Sequence, residues 1–106
     1  MISWKDLVLL FFGRRIGFQV SGDSMLPTLK AGDRVLINPN TNIERGDIVL
    51  ANHPYKKKLR IIKRVVSIDS DSHYFLSGDN SAESADSRTF GNIPAKEILG
   101  KVVCRK

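Results

Sequence analysis

Ser21-Gly22-Asp23-Ser24-Met25-Leu26-Pro27-Thr28-Leu29 is the most informative segment of this chain of 106 residues. It places a serine between a turn that contains glycine and a proline. Gly22 lets the backbone come close to a substrate, and Pro27 restricts the conformations that follow the serine. The two apolar residues after Ser24 are expected to line a substrate pocket. Taken alone, however, such a segment is more often an ordinary turn than the seat of a nucleophile.

A serine hydroxyl becomes a good nucleophile only when a base takes its proton, and the two histidines of the chain have no catalytic context. A lysine can be that base only when neutral, so burial must lower its pKa from about 10.4. Lys63 meets this demand, because Ile61 and Val65 share its face of an apolar strand. Lys101 also has apolar neighbours, but no other motif points to it. The pattern predicts a serine–lysine hydrolase, most simply a peptidase.

Six short segments have the β-branched and aromatic composition that is typical of strands. They are residues 16–21, 34–38, 47–52, 59–68, 73–77 and 98–104. Gly-Asp pairs separate several of them and mark turns, because glycine accepts a positive φ and aspartate bonds to nearby backbone. The sequence therefore predicts a mainly β fold of compact antiparallel type. Residues 78–94 are polar and poor in strand signals, and so long a loop in a small domain is usually functional or disordered.

The first thirteen residues predict a short amphipathic helix, which divides the chain into an N-terminal segment, 1–15, and a catalytic domain, 16–106. Ser3 caps the helix, and Asp6 completes a capping-box pattern. Its apolar face consists of Trp4, Leu7, Val8, Phe11 and Phe12. Two arginines follow the helix. It therefore either packs on the core or a partner, or makes peripheral contact with a membrane through residues 2–15.

The composition limits the partners that this chain is expected to have. Its net charge of +6 suits nucleic acid, an anionic membrane or an acidic partner. No helix-turn-helix, zinc-finger or RNA-binding signature is present, so no nucleic acid is expected. Lys56-Lys57-Lys58 is interpreted as a solvated loop, with contact to a membrane surface or an acidic substrate as the alternative. The predicted peptidase site instead implies a peptide or a protein as the substrate.

Cysteine and apolar runs indicate the compartment. Cys104 is the single cysteine, which excludes a disulfide framework and suits a reducing environment. His53 and His73 lack ligand-like spacing, so neither a metal nor another cofactor is expected. The longest apolar run, residues 7–12, is shorter than a membrane span or the apolar region of a secretory signal. The expected protein is complete and cytoplasmic, with peripheral membrane association as an option.

Five segments together resemble the boxes of type I signal peptidases. They are residues 20–29 for the nucleophile, 32–37, 46–49, 62–66 for the lysine, and 78–91. The five occur in the right order, and the resemblance covers residues 16–104, which makes the signal specific. It implies the β fold that signal peptidases share with the self-cleaving LexA-type repressors.

The resemblance implies a role for each matching residue of the site. Ser24 would attack the scissile carbonyl, and Lys63 would act as general base and later protonate the leaving amine. Ser84 would orient the lysine amine. Met25 and Pro27 match residues that shape the site and its turn.

The resemblance also assigns the charges in and near the last box. Arg64 with Asp79, and Asp86 with Arg88, match structural ion pairs that brace the loop against the active site. One position departs from the pattern. Some family members carry a hydroxyl two residues before the nucleophile, where this chain has Gly22. The oxyanion is then expected to rely on backbone N–H groups, with the N–H of the nucleophile itself as the first donor.

The expected function follows from what the chain lacks as well as what it has. The membrane anchor and the large inserted domain of many bacterial enzymes have no counterpart here. Such a minimal form resembles the small peptidases that mature nickel-type superoxide dismutase. We expect a serine–lysine endopeptidase that removes an N-terminal leader or propeptide from a precursor, with nickel superoxide dismutase as the example. The alternatives are a general signal peptidase at the membrane and an inactive binding module.

Overall fold

A computed structural model describes residues 15–39, 41–56, 58–80, 82 and 85–105. Within this part the chain forms seven strands, one four-residue α-helix and one 3₁₀ helix. The strands are β1 (Ile16–Gln19), β2 (Arg34–Asn38), β3 (Ile48–Asn52), β4 (Arg60–Ile68), β5 (His73–Ser77), β6 (Ile93–Pro94) and β7 (Ile98–Arg105). The helix α1 spans Ser87–Phe90, and the 3₁₀ helix spans Ala95–Glu97.

All seven strands join one antiparallel sheet in the order β1-β2-β7-β3-β4-β5-β6. The last strand of the chain lies in the middle, between β2 and β3. The prediction of a mainly β, compact antiparallel fold is therefore confirmed. The six predicted strand segments match the observed strands to within two residues at each end. The polar loop over residues 78–94 holds two elements that the sequence did not indicate, α1 and the short strand β6.

Two buried apolar clusters hold the sheet together. The first contains Val20, Met25, Leu29, Val35, Ile37, Leu50 and Ile62. The second contains Val49, Ala51, Val65, Leu76, Phe90 and Ile93. Consecutive residues of β3 alternate between the clusters, so this strand is buried on both of its faces. Because β4 pairs with β3 along residues 60–64, the lysine strand lies against the most buried part of the protein.

The predicted N-terminal helix, and with it the division of the chain at residue 15, lies outside the described residues. Its two alternatives therefore stay predictions. Among the residues that are described, no helix has the length and apolar character that a membrane crossing requires.

Gly100 is expected to be the least replaceable glycine of the sheet. It is buried in β7, where an added Cβ would lie 2.7 Å from the Asn38 carbonyl oxygen and 2.6 Å from Cγ2 of Ile37. Backbone cannot move aside as a flexible side chain can, so Gly100→Ala should lower the free energy of unfolding by about 2 kcal/mol. Urea denaturation measures this loss. Gly17→Ala is the matched control, since nothing lies within 4 Å of its added Cβ. Equal losses for the two variants would contradict the prediction.

Candidate active site

Ser24 lies on a turn that is fixed by backbone hydrogen bonds and by one buried side chain. The Leu26 N–H donates to the Asp23 carbonyl at 3.2 Å. Gly22 has φ +75°, a conformation that favours glycine. Met25 is fully buried in the first core cluster, while Ser24 itself stays half-buried. The expectation that Met25 lines the substrate pocket is wrong, because its side chain packs beneath the turn and anchors it.

Lys63 occupies a position in β4 that suits a neutral amine. Lys63 is only 5% exposed, and it lies opposite the buried Val49 of β3. Burial lowers the pKa of the Lys63 amine, while the nearby Asp86 carboxylate opposes that effect in part. The predicted burial of this lysine on an apolar strand is confirmed. A buried lysine with a lowered pKa can accept a proton at a pH where a surface lysine cannot.

One cavity of about 180 Å³ brings Ser24 and Lys63 together. Its other lining residues are Phe18, Ser21, Leu59, Arg60, Ile61 and Ile62. They come from the end of β1, from the turn of residues 21–28 that contains Ser24 (called the nucleophile turn below), and from Leu59 and the first three residues of β4. Sequence reasoning missed this lining, although Ser21 lies in the segment that it singled out. The lining combines apolar side chains with a serine hydroxyl and a lysine amine, the two groups that a serine–lysine mechanism uses.

The first half of β4 presents a free strand edge at this cavity. β3 pairs with β4 over Arg60–Arg64, whereas β5 pairs with β4 only from Arg64 onward. In the described part of the chain, the second edge of residues 60–63 therefore has no strand partner. An unpaired edge offers backbone N–H and C=O groups to an extended peptide. The edge ends beside Lys63, so a peptide bound there would reach the serine and the lysine.

The predicted ion pair between Arg64 and Asp79 is present and links three segments. Nε and Nη2 of Arg64 donate to the two carboxylate oxygens of Asp79 at 2.8 Å each. Nη1 of Arg64 donates to the Gly46 carbonyl at 2.7 Å, and the Thr28 hydroxyl donates to Asp79. The hydrogen bond from Arg64 lowers the pKa of Asp79 despite partial burial. This network ties β4 to the nucleophile turn, a link that the sequence did not assign to Thr28.

Asn80 contacts the nucleophile turn directly. Its backbone N–H donates to the Ser24 carbonyl at 2.8 Å, and its Nδ2 donates to the Asp23 carbonyl at 3.1 Å. These two bonds fix the peptide groups before and after the Ser24 Cα, and the first of these groups contains the Ser24 backbone N–H. Sequence reasoning gave Asn80 no role, although it completes the Gly-Asp-Asn run of the last box.

Asp86 is the buried charge of the site. Its side chain is fully buried and accepts two bonds from the Arg88 guanidinium at 2.9 Å, which is the second predicted ion pair. It also accepts from the backbone N–H groups of Arg88 and Gly78, and so caps the start of α1. Burial alone raises the pKa of Asp86, but the bonds from Arg88 and Gly78 outweigh it and lower the pKa to about 2. The carboxylate stays charged near Lys63.

Ser84 lies outside the described residues, so its proposed role in orienting the lysine stays a prediction. Ser87, three residues further along the chain, is described and has a structural role. The Ser87 hydroxyl accepts the Leu76 N–H at 2.9 Å and fixes α1 to β5. This contact holds the segment of residues 78–91 against β5, the strand next to β4 in the sheet.

Three residues at the β4–β5 turn have side-chain atoms of the type that bind metals. Ligand atoms of Asp69, Asp71 and His73 lie within 4.8 Å of one another, and none of them lines the cavity. The Asp69 carboxylate accepts the backbone N–H groups of Asp71 and His73 at 2.9 Å each. These bonds account for the cluster as a turn in which aspartate caps the backbone.

Thr28→Val should remove the link between Thr28 and Asp79 and leave the Arg64–Asp79 ion pair in place. The change keeps the shape of the side chain and removes one hydrogen bond to a carboxylate, so the protein should lose about 1 kcal/mol of stability at pH 7. The pKa of Asp79 is lowered in the folded protein, so this contribution is present above pH 4 and shrinks as pH falls through that lowered pKa. Urea denaturation at several pH values measures it. Thr89→Val, at an exposed position, is the control.

Comparisons with known proteins add a family to this geometry. A family model described as Peptidase S24-like matches residues 8–103. Mitochondrial inner membrane protease subunit 1 of Xenopus tropicalis is 33% identical over 80% of this chain and 65% of the relative. The Homo sapiens protein of that name is 34% identical, over 77% of this chain and 63% of the relative. Subunit 2 of the Saccharomyces cerevisiae protease is 31% identical, over 96% and 74%. The chain spans just under two thirds of the first two relatives.

Proposed function

Because the chain belongs to the Peptidase S24-like family, we propose that it is a serine endopeptidase with Ser24 as nucleophile and Lys63 as general base. The observation that carries the proposal is the shared cavity, which both residues line. The burial of Lys63 supplies the second requirement, a lowered amine pKa. Protease activity is supported by the relatives, which are subunits of mitochondrial inner membrane proteases.

The proposed reaction begins when Ser24 Oγ attacks the scissile carbonyl and Lys63 Nζ takes the hydroxyl proton. The carbonyl oxygen becomes an oxyanion. Collapse of this intermediate breaks the C–N bond, and the protonated lysine gives its proton to the leaving amine. Water then attacks the acyl-serine carbonyl and loses a proton to Lys63. Collapse of the second tetrahedral intermediate breaks the bond to Ser24 Oγ and releases the acid product, and Lys63 returns the proton to Oγ.

The Ser24 backbone N–H is the proposed donor to the oxyanion. Among the described residues, no hydrogen bond from this N–H is present. Asn80 holds the carbonyls on both sides of the N–H, so the donor is oriented before substrate binds. Gly22 contributes no side chain here, which agrees with a backbone donor.

The proposed substrate is a precursor protein that loses an N-terminal leader or propeptide, and Ser84 is proposed to orient the Lys63 amine. Nickel-type superoxide dismutase precursor is the first substrate to test. The short stretch between Lys63 and Gly78 has no room for the large inserted domain of many bacterial enzymes, and in this respect the chain resembles the small peptidases that mature that precursor. The relatives are named as inner membrane proteases, and this favours a second candidate, cleavage of leaders at a membrane surface. A cytoplasmic protein with peripheral membrane contact fits both candidates.

Incubation with candidate precursors, followed by mass measurement of the new N-terminus, tests the proposal. Ser24→Ala serves as the inactive blank, and Ser67→Ala serves as the matched control, since Ser67 is exposed on β4 and does not line the cavity. A single new N-terminus with the wild-type and control proteins, absent with the blank, supports it. Liposome flotation of the intact chain distinguishes the two candidates, because cleavage at a membrane surface requires that the protein binds the vesicles. Cleavage that persists in Ser24→Ala would rule the assignment out.

A further inference from the structure

An arginine without an acidic partner lies at the rim of the cavity. Arg60 is the first residue of β4; it lines the cavity and is exposed. Asp79, Asp86, Asp47 and Asp33 each pair with another cation. Arg60 has no such ion pair in the described part of the chain. Its guanidinium is therefore available to a group that enters the cavity.

Two more cations precede Arg60 on the hairpin between β3 and β4. Lys56 and Lys58 are both exposed, and neither forms an ion pair with a described residue. Of these three cations only Arg60 lines the cavity, and the two lysines add positive charge to the hairpin that leads to it. An acidic substrate was one of the two functional alternatives for these lysines. The presence of Arg60 in the cavity lining favours a substrate over a membrane surface.

The strand edge fixes where a bound peptide meets Arg60. Residues along a strand are about 3.3 Å apart, so Arg60 lies about three residues, or roughly 10 Å, from Lys63. Consider a peptide that pairs with this edge and has its scissile bond beside Lys63. The peptide residue opposite Arg60 is then about three positions from that bond. Side chains alternate along β4, which places Arg60 on the face opposite the lysine.

We propose that Arg60 is a specificity determinant that selects an Asp or Glu side chain about three residues from the scissile bond. The inference rests on the proposed function, because it concerns the peptide that occupies the same cavity. A guanidinium pairs with a carboxylate through two parallel N–H···O bonds, which gives directional selection. Lys56 and Lys58 add attraction at longer range, and salt weakens that part.

A peptide library derived from a digested proteome tests the selection. Cleaved bonds are identified by mass spectrometry for wild type, Arg60→Glu and Arg34→Glu, with Ser24→Ala as the blank. Arg34 is the matched control, because it is also exposed and first in its strand but does not line the cavity. An exposed ion pair is worth about a threefold preference, so wild type should enrich acidic residues about threefold at one position. Arg60→Glu should reverse this to basic residues, and Arg34→Glu should retain it.

Binding gives a readout that does not depend on catalysis. The probe is a fluorescein-labelled alanine-rich nonapeptide with a central glutamate, compared with its glutamine version, on Ser24→Ala protein. The glutamate peptide should bind about threefold more tightly, and added Arg60→Glu should abolish the difference. Equal binding of both peptides would overturn the inference. If, in addition, Arg60→Glu bound anionic vesicles less tightly than wild type, the cations would be assigned to a membrane surface. If no variant cleaves any peptide while the binding difference holds, the proposed function fails and the role of Arg60 stands.

Discussion

Lys63→Met is expected to give a folded protein that cleaves peptide bonds roughly 10³-fold more slowly than wild type, or slower still. Methionine fills a similar apolar volume but cannot accept the proton of Ser24. Initial rates on a precursor that wild type cleaves measure the loss. Lys101→Met is the matched control, because Lys101 is half-buried on β7 and pairs with Asp47 outside the cavity lining. Normal cleavage by Lys63→Met would remove the lysine from the mechanism.

Stability distinguishes the role of this lysine as a base from a purely structural role. Burial makes the pKa of Lys63 lower in the folded protein than in the unfolded one. At a pH under the folded pKa, the buried amine is protonated and destabilises the folded state. Wild-type stability should therefore rise as pH rises from the folded pKa toward the unfolded one. Lys63→Met has no such cost, so at pH 7 it should be at least as stable as wild type. Urea denaturation from pH 7 to 10 tests this, and a large loss of stability would favour a structural role.

Asp86→Asn is expected to lower the free energy of unfolding by about 2 kcal/mol at pH 7, since a change in pKa from 3.8 to about 2 has that value. The folded pKa is depressed, so this stabilisation is present above pH 4 and is lost as pH falls toward 2. The difference between variant and wild type should shrink over the same range. Asp71→Asn, at an exposed turn position, is the control and should change little. A loss that stays constant down to pH 2 would contradict an electrostatic origin.

The same substitution has a second effect on activity. The Asp86 charge raises the pKa of Lys63, so its removal lowers that pKa further. The acid limb of the pH dependence of kcat/KM reports the base in the free enzyme. We expect this limb to move to lower pH in Asp86→Asn. An unmoved limb, with the protein still folded, would show that the two charges are not coupled.

Most of the fold was readable from composition and turn signals. The strands were indicated by segments rich in β-branched and aromatic residues, because these side chains favour extended backbone. The sequence indicated a hairpin tip near residues 53–58, but the register that places Lys63 opposite Val49 came only from the structure. The order of the sheet was not indicated either, since β7 enters between β2 and β3 from the far end of the chain. Such pairing depends on long-range packing, and local sequence contains no signal for it.

The site divides in the same way. Sequence alone determined the chemical types, a serine in a glycine turn and a lysine on an apolar strand, because their chemistry depends on neighbours one or two residues away. Only the tertiary structure decided that Met25 supports the turn from within the core, that Asn80 holds the Ser24 peptide, and that Arg60 stands at the cavity rim. The reason is physical: these contacts join segments that are far apart in the chain, and their geometry is set by how the sheet packs.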